Sequence, residues 1–297
     1  MNTLKITPYY HVDVFTNTPL SGNGLTVFTE TESFSKVTMQ KLTQEMRQFE
    51  SIFLQKITDH KIRAFIFTCE EELNFAGHPI LGAAAVLHDL LQTPQQKEEW
   101  IFVLNEKEVT VTTQKKESHY EALMNQGKVE FGKILNAEET QIILDCMNLN
   151  ADDLFPGCSP MVASTGLPYL LIPLQKNGLA AKITVPDLEK KMAPFKAKFI
   201  GTIEIPSLNI RTWDNAGTVE DAATGSLAGP VGAYLVQYGF KEADKIIQLH
   251  QGKNIGRPSQ LFVTIKMQAG SITDVFVGGG VCKISQSMLA NELVGSL

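Results

Sequence analysis

The sequence predicts a mixed α/β (α+β) fold made of two similar halves, each with short strands and one central helix. The first observation is a repeat, because Gly225 lies 148 positions after Gly77. The same offset relates Arg211 to Arg63. The second observation is that strand-like segments outnumber helical ones and often form hairpins, which favours mixed halves over a doubly wound parallel sheet.

The repeat extends to Glu72 and Glu220, which have the same offset. Two copies indicate a duplicated domain rather than a solenoid, and the shared arginine and glutamate make chance similarity the weaker explanation. We expect the first half to span 1–115 and the second 116–297, with the polar residues 114–119 as the crossing between them. An alternative is that the last residues of the chain pack back on the first half.

The composition is that of an ordinary globular protein, with 43% hydrophobic and 20% charged residues over a length of 297. This length allows one large domain or two of about 150 residues. The net charge of −6 argues against a nucleic-acid partner, because a phosphate backbone attracts a basic surface. No apolar run approaches the roughly 20 residues that a membrane helix needs, and no basic block suggests a membrane surface.

The start of the chain and its cysteines predict a cytoplasmic location. Residues 1–6 contain no apolar signal core. The four cysteines have no CxxC spacing, so they resemble reduced thiols rather than a disulfide frame or a zinc site. The dispersed histidines likewise predict no metal site.

The first half alternates strands with helices. Residues 9–15 alternate apolar and polar side chains, as a strand does, and the turn-forming loop 16–24 separates them from the next strand. Ser35 is a suitable cap for a helix with apolar spacing over 36–48. The remaining strands of this half are expected at 25–28, 51–56, 62–68, 100–104 and 109–113.

The second half follows the same plan. Helices are expected at 137–147 and 186–192, where Pro194 ends the second. Residues 152–160 include prolines and a glycine and predict a loop. Strands are expected at 128–131, 168–173, 199–203, 208–213, 246–250, 260–267 and 273–283.

Each half contains a stretch that turns directly into an apolar helix of small residues. In the first half, Gly77 allows unusual backbone angles and Pro79 suits a first helical turn. In the second half, Gly225 opens the equivalent helix. Such a helix start presents free N–H groups and the positive end of the helix dipole to an anion.

Glu50 is the first candidate for acid–base chemistry. It lies where a helix ends and a strand begins, among the apolar residues Phe49, Ile52 and Phe53. Apolar surroundings disfavour the charged form of a carboxylate, so this residue could carry a proton near neutral pH. The alternative is an exposed glutamate at a helix end.

Three polar residues flank the helix starts. His78 follows Gly77, where the helix dipole disfavours a charged imidazole. Asp221 and Ser226 flank the second start. Each of the three could bind a ligand or merely pack and cap its own loop. If the two helix starts face one cleft, their N–H groups and dipoles form a site for a small carboxylate.

Six segments resemble the phenazine biosynthesis PhzF-like family, and they occur in the family's order over nearly the whole chain. They are Tyr10-His11-Val12-Asp13-Val14-Phe15-Thr16, Ser21-Gly22-Asn23, Glu50-Ser51, Phe75-Ala76-Gly77-His78-Pro79, Glu220-Asp221-Ala222-Ala223-Thr224-Gly225-Ser226, and Gln251-Gly252 with Gly256-Arg257-Pro258-Ser259. The Ala-Gly-His-Pro and Glu-Asp-x-Ala-Thr-Gly-Ser motifs are specific when they occur together.

The resemblance implies the diaminopimelate epimerase-like fold. In that fold, two similar halves each form a curled, mostly antiparallel sheet around a central helix, with the active site between them. Family members are commonly homodimers and need no metal or organic cofactor. The type member is an isomerase that moves a proton between two carbons of a cyclic dihydro-hydroxyanthranilate.

The resemblance also implies residue roles. The glutamate of the Glu-Ser pair, Glu50, is the acid/base. The residues grouped as substrate-binding are His78, Asp221, Ser226, Gly77, Gly225 and Asn23. Related racemases carry two cysteines at the helix starts, where this chain has glycines, and that difference counts against a two-thiol racemase.

Three positions depart from the family pattern. Ala222 and Gly24 stand where prolines are usual, and Cys69 precedes the acidic run 70–72 in a loop where proline is usual. None of these differences removes a catalytic group. They alter the shape of loops around the site and therefore bear on which substrate binds.

We therefore expect a cofactor-independent isomerase in which Glu50 moves a proton between carbons of a small carboxylic acid. The N–H groups of Gly77 and Gly225 would hold the carboxylate, and closure of the two halves would exclude water. Two alternatives stay open. One is an epimerase or racemase, which needs a second base on the opposite face, and the other is a binding protein that keeps the fold without catalysis.

Overall fold

The computed structural model of the chain describes residues 7–214 and 216–290. They divide into two compact units. The first unit contains the residues up to Asn125 and those from Gly278 onward, and the second is Gln126–Val277. None of the helices within the described residues is both long and apolar enough to span a bilayer.

The first unit contains eight strands of its own, two helices and the end of a long last strand. The strands are β1 (Pro8–Val14), β2 (Asn23–Phe28), β3 (Glu50–Lys56), β4 (Lys61–Phe67), β5 (Glu72–Leu73), β6 (Lys97–Val103), β7 (Glu108–Lys115) and β8 (Tyr120–Asn125). The helices are α1 (Lys36–Met46) and α2 (Gly77–Leu91). The first helix ends earlier than expected, because Arg47 takes a left-handed conformation with φ 57°.

The second unit repeats the plan. Its strands are β9 (Glu130–Ile134), β10 (Met161–Ser164), β11 (Pro168–Leu174), β12 (Phe199–Glu204), β13 (Asn209–Thr212), β14 (Ile246–Gln251), β15 (Ser259–Gln268) and the start of β16 (Ser271–Met288). Its helices are α3 (Ala137–Cys146), α4 (Leu188–Met192) and α5 (Gly225–Gln237). Strands β5, β8 and β10 were not predicted from the sequence.

The expected crossing at 114–119 is wrong. β7 pairs antiparallel with β8 as far as Lys115 and Tyr120, and Lys116 N donates to His119 O at 2.9 Å to close the turn. These residues are therefore the end of a hairpin inside the first unit. The sequence predicted a boundary at 115, because turns and linkers are both rich in polar residues. In the structure the two units divide after Asn125.

Strand pairing confirms the predicted duplication. In the first unit the ladders β1–β2, β2–β3, β3–β4, β4–β6 and β6–β7 are antiparallel, parallel, antiparallel, parallel and antiparallel. In the second unit β10–β11, β11–β12, β12–β13, β13–β14 and β14–β15 follow the same order of directions. Each half is thus a mostly antiparallel sheet with the same two parallel ladders.

Each sheet curls around its long apolar helix. In the first unit α2 packs against β1, β2, β3, β6, β7 and β8, and its residues from Gly77 to Val86 are buried. Small residues permit this close packing: a side chain at Gly82 would overlap Leu25 of β2. In the second unit α5 packs against β10, β11 and β15, and a side chain at Gly232 would overlap Val263. Both central helices are therefore fixed on several sides.

The other face of the first sheet packs against α1. Phe28 and Phe53 stack there with ring centroids 4.6 Å apart, inside a cluster that also contains Met39 of the helix. Thr26 and Ser51 lie opposite each other on neighbouring strands of this face. Both are fully buried, and within the described residues neither hydroxyl has a hydrogen-bond partner. An unpaired buried hydroxyl costs stability.

Replacing Thr26 with valine should therefore stabilise the protein, because it removes the orphan hydroxyl and keeps the side-chain shape. We expect the free energy of unfolding to rise by about 1 kcal/mol. The matched control is Thr31→Val, because the Thr31 hydroxyl is equally buried and donates to Leu54 O at 2.9 Å. Urea unfolding should show the control to be destabilised, and loss of stability in both variants would contradict the assignment.

Candidate functional site

The central helix of the first unit begins without a side-chain cap. Its N-cap residue is Ala76, which has an extended backbone (φ −150°, ψ 142°) and makes no capping hydrogen bond from its side chain. Gly77 and His78 follow as the first helical residues. Their backbone N–H groups lie beyond the reach of the intrahelical ladder, so they can bind an external acceptor.

Glu50 lies beside this helix start. It is the first residue of β3 and pairs with Leu25, the residue that contacts α2. Its Oε2 atom is 3.3 Å from His78 Nδ1. Both residues are almost completely buried, with exposed fractions of 6% for Glu50 and 4% for His78. The sequence expectation of a carboxyl group in buried surroundings therefore agrees with the structure.

His78 is the neutral partner of this pair. Burial lowers the pKa of its imidazole to about 3, and a hydrogen bond to the backbone of Gly24 opposes that shift only in part. The contact with Glu50 is therefore between a carboxyl group and a neutral ring near pH 7. His78 Nε2 is buried and has no hydrogen-bond partner among the described residues. This atom is available to a polar group of a ligand.

Asn23 belongs to the same neighbourhood. It begins β2, is buried, and precedes Gly24, whose backbone bonds His78. The first unit thus groups four of the residues that the sequence singled out: Asn23, Glu50, Gly77 and His78.

The central helix of the second unit also begins without a side-chain cap. Its N-cap residue, Thr224, makes no capping bond, because its hydroxyl donates to the Asp221 carboxylate instead. The Gln251 side chain fixes this arrangement. Its amide oxygen accepts from Thr224 N at 2.9 Å, and its amide nitrogen lies 2.9 Å from both Asp221 O and the Thr224 hydroxyl. The N–H groups of Gly225 and Ser226 therefore precede the first intrahelical bond, which Leu227 N makes to Thr224 O at 3.2 Å.

The loop that contains Gly252 and Ser259 packs against the 221–224 turn. Gly252 has a positive φ of 77°, and a side chain there would overlap the carbonyl groups of Arg257 and Ala222. The Ser259 hydroxyl donates to Ala222 O at 3.0 Å. These contacts explain the Gln-Gly and Arg-Pro-Ser segments in physical terms, since they hold the backbone of the 221–224 turn.

Ser226 is the second residue of α5 and is buried. Its hydroxyl oxygen lies 2.7 Å from the hydroxyl of Tyr169, a buried residue of β11. The Tyr169 ring stacks on Phe199 of β12, with centroids 5.4 Å apart. Tyr169 was not predicted as a site residue, because an isolated tyrosine carries no chemical pattern in a sequence. Thr224 and Gln251 lie within segments that carry the family resemblance, but they were not assigned a role in the site.

The repeated arginine of the second unit anchors the loop that leads to α5. Arg211 binds Glu220 through two nitrogens at 2.9 and 2.7 Å, and both side chains are buried. Its third nitrogen donates to the carbonyl oxygens of Gly178 and Ala181. The guanidinium also lies 4.7 Å from the centre of the Trp213 ring. Glu220 is thereby fixed next to Asp221.

The repeated arginine of the first unit has the same ring contact but a different carboxylate contact. Arg63 lies 4.7 Å from the centre of the Phe65 ring and donates to Leu104 O at 2.6 Å. It reaches Glu72 through Asn105, whose amide is bound by the arginine and donates to the carboxylate at 2.8 Å. The repeated Arg and Glu residues are thus structural anchors in both units.

Comparison with known proteins gives a consistent result. Residues 12–285 match the family model described as phenazine biosynthesis-like protein. An uncharacterized isomerase of Escherichia coli K12 is 30% identical and aligns over 96% of this chain and 98% of its own length. A trans-2,3-dihydro-3-hydroxyanthranilate isomerase of Pseudomonas chlororaphis is 29% identical over 91% of this chain and 95% of its own.

A solved structure supports the fold class. A Pseudomonas aeruginosa protein described as a predicted epimerase superposes with a TM-score of 0.89 at 42% identity. The match covers 95% of this chain and 98% of that one. Together with two sheets that each curl around a helix, it confirms the expected diaminopimelate epimerase-like fold.

The low pKa of His78 predicts a specific pH dependence of stability. In the unfolded chain this histidine should bind a proton below about pH 6.5, whereas in the folded protein it should not do so until about pH 3. The unfolded state thus binds more protons below 6.5, and stability falls as the pH falls. Between pH 7.5 and 5.0 the wild type should lose about 2 kcal/mol more than His78→Asn.

Urea unfolding of both proteins at the two pH values measures this difference. The substitution itself changes stability at both pH values. The comparison therefore uses, for each protein, the difference between its free energies of unfolding at the two pH values. An equal loss in the two proteins would mean that folded His78 takes up a proton at its ordinary pKa.

Proposed function

The chain belongs to the phenazine biosynthesis-like family and is an isomerase, and we propose that Glu50 performs its proton transfer. In this proposal the Glu50 carboxylate removes a proton from a carbon of a small carboxylic acid. The resulting carboxylic acid returns the proton to another carbon of the same molecule, so that no net proton is consumed. The substrate must carry a C–H bond made acidic by a neighbouring unsaturated or carbonyl group.

One observation carries the proposal: the buried Glu50 carboxyl group faces a neutral histidine at 3.3 Å. A protonated imidazole at this distance would stabilise the carboxylate and make it a weaker base. A neutral ring does not have this effect, and burial of a carboxyl group favours a base that works near neutral pH. Beside a neutral His78, Glu50 is therefore better suited to remove a proton than it would be in an ion pair with a charged histidine.

The uncapped helix starts are proposed to bind the anionic part of the substrate. Backbone N–H groups at Gly77 and Gly225 combine donors with the positive ends of two helix dipoles. Ser226 adds a hydroxyl, and the free Nε2 atom of His78 and the Asp221 carboxylate orient the other polar groups. That one substrate contacts residues of both units remains a prediction.

An epimerase is the main alternative, because the structurally similar Pseudomonas aeruginosa protein is described as a predicted epimerase. Inversion at one carbon needs a second base on the opposite face. The second unit offers an informative position, because the repeated arginines Arg63 and Arg211 pair with Gln55 of β3 and Thr202 of β12. Counted back five residues from these partners, Ala197 occupies the place that corresponds to Glu50, and its methyl group cannot accept a proton. This difference favours a one-base isomerase.

The relatives' names suggest a first substrate to test. Trans-2,3-dihydro-3-hydroxyanthranilate has the carboxylate and the activated ring that the proposal requires, and it is the named substrate of the Pseudomonas chlororaphis relative. Independence from metal ions and organic cofactors, a homodimeric state and a cytoplasmic location remain predictions from the family resemblance.

Glu50→Gln tests the assignment directly. The amide is nearly isosteric with the carboxylic acid but cannot remove a proton. Turnover of trans-2,3-dihydro-3-hydroxyanthranilate, and exchange of its carbon-bound hydrogen with D₂O, should both fall at least about 10²-fold. Folding and affinity for the substrate should change little. His78→Ala and Asp221→Ala should instead impair KM and kcat together, since both residues are assigned orienting roles.

Glu98→Gln is a matched control, because Glu98 is a largely buried glutamate of the same unit and contacts His60 at 3.0 Å. It should retain wild-type exchange. If Glu50→Gln also exchanges the carbon-bound hydrogen at the wild-type rate, Glu50 is not the base, and Asp221 becomes the next candidate.

A further inference from the structure

The hydroxyl of Ser226 is hydrogen-bonded to the hydroxyl of a tyrosine in the same unit. Tyr169 is 3% exposed, and its hydroxyl oxygen lies 2.7 Å from the Ser226 hydroxyl oxygen. The Tyr169 ring is held by its stack on Phe199 and by the register of β11 with β12. A tyrosine has few rotatable bonds, so a hydroxyl on such a fixed ring is a rigid partner.

The duplicated fold relates one side of this contact to the acid–base pair of the first unit. The repeat offset relates Ser226 to His78. Because the repeated arginines pair with Gln55 and Thr202, Phe199 corresponds to Ile52, and its ladder partner Tyr169 corresponds to Val27. The first unit therefore joins its helix start to β3 through an imidazole and a carboxyl group, whereas the second unit joins its helix start to β11 through two hydroxyls.

Both contacts lie on the side of the sheet that faces the central helix. Gly201 follows Phe199 by two residues on β12, and a side chain at Gly201 would overlap Leu227 of α5. Because side chains alternate along a strand, Phe199 and its ladder partner Tyr169 face the same side as Gly201. Leu25 and Glu50 likewise face α2 in the first unit.

We propose that Tyr169 is a positioning residue that fixes the Ser226 hydroxyl as a hydrogen-bond donor to the anionic group of the substrate. A phenol is a stronger acid than an alkanol, so the Tyr169 hydroxyl donates to the Ser226 oxygen. The Ser226 hydrogen then points away from the tyrosine and is free to donate to a carboxylate. The inference rests on the proposed function, because it assigns the binding of the substrate anion to this hydroxyl.

The contact with Tyr169 also prevents Ser226 from capping its own turn. Without Tyr169, a serine in the first turn of a helix can rotate its hydroxyl toward a nearby backbone carbonyl. After such a rotation the Ser226 hydroxyl would donate to a backbone carbonyl of its own loop and could not donate to the substrate. The tyrosine therefore preserves the binding role of a residue that would otherwise cap its own turn.

The test is a double-mutant cycle with Tyr169→Phe, Ser226→Ala and the double variant. With trans-2,3-dihydro-3-hydroxyanthranilate, Tyr169→Phe should raise KM by about fivefold to tenfold and change kcat by less than about threefold, as expected for a lost binding interaction. In the Ser226→Ala background the tyrosine substitution should have no further effect on KM. A purely structural role would impair both backgrounds equally, and equal effects would overturn the proposal.

Two further measurements separate this proposal from the proposed function. Tyr234→Phe is the control, because it removes another buried phenol hydroxyl of the same unit, one that lies beside Cys158. It should leave KM unchanged. A crystal structure of Tyr169→Phe should show the Ser226 hydroxyl in a new rotamer. An unchanged Ser226 rotamer would overturn the positioning role of Tyr169. Failure of the wild type to convert this substrate would instead count against the proposed function, and the crystal structure would still test the positioning role.

Discussion

Both central helices begin at an N-terminus that no side chain caps, and this constraint organises the candidate site. An N-cap side chain typically contributes about 1 kcal/mol to a helix. In α2 the cap position is an alanine, which has no group to offer. In α5 the cap threonine has a hydroxyl, but Asp221 and Gln251 hold it away from the helix. In both helices, by two different arrangements, the first turn therefore has no side-chain cap.

The uncapped starts are possible because the rest of each unit fixes the helices. A sheet curls around each one, and the small residues at Gly82 and Gly232 allow strands and helix to approach closely. Loops on either side are fixed by the buried Arg211–Glu220 pair and by the Arg63–Asn105 contact. The stability of these helices therefore comes from packing, and neither helix depends on a side-chain cap.

The duplicated units differ at positions where the chemistry is expected. The first carries Glu50 beside a neutral His78. The second has Ala197 at the position that corresponds to Glu50, and it has the Tyr169–Ser226 contact at its helix start. The first unit thus has a proton acceptor, and the second has hydroxyl groups. This asymmetry distinguishes the chain from a racemase with a thiol at each helix start.

The sequence predicted much of this arrangement. The constant offset between Gly77 and Gly225 revealed the duplication, and both glycines open their helices in the structure. The unit boundary was misplaced, because the turn after Lys115 has the composition of a linker. Residues such as Tyr169 and Gln251 were not predicted, since their roles depend on contacts between strands and loops that are distant along the chain.

The stereochemical course of hydrogen exchange tests the central claim, that a single base acts on one face of the substrate. The measurement is NMR of trans-2,3-dihydro-3-hydroxyanthranilate incubated with the protein in D₂O. A one-base isomerase should return starting material that contains deuterium but keeps its configuration at the exchanging carbon, together with the isomerised product. Recovery of starting material with the inverted configuration would require a second base on the opposite face and would contradict the account.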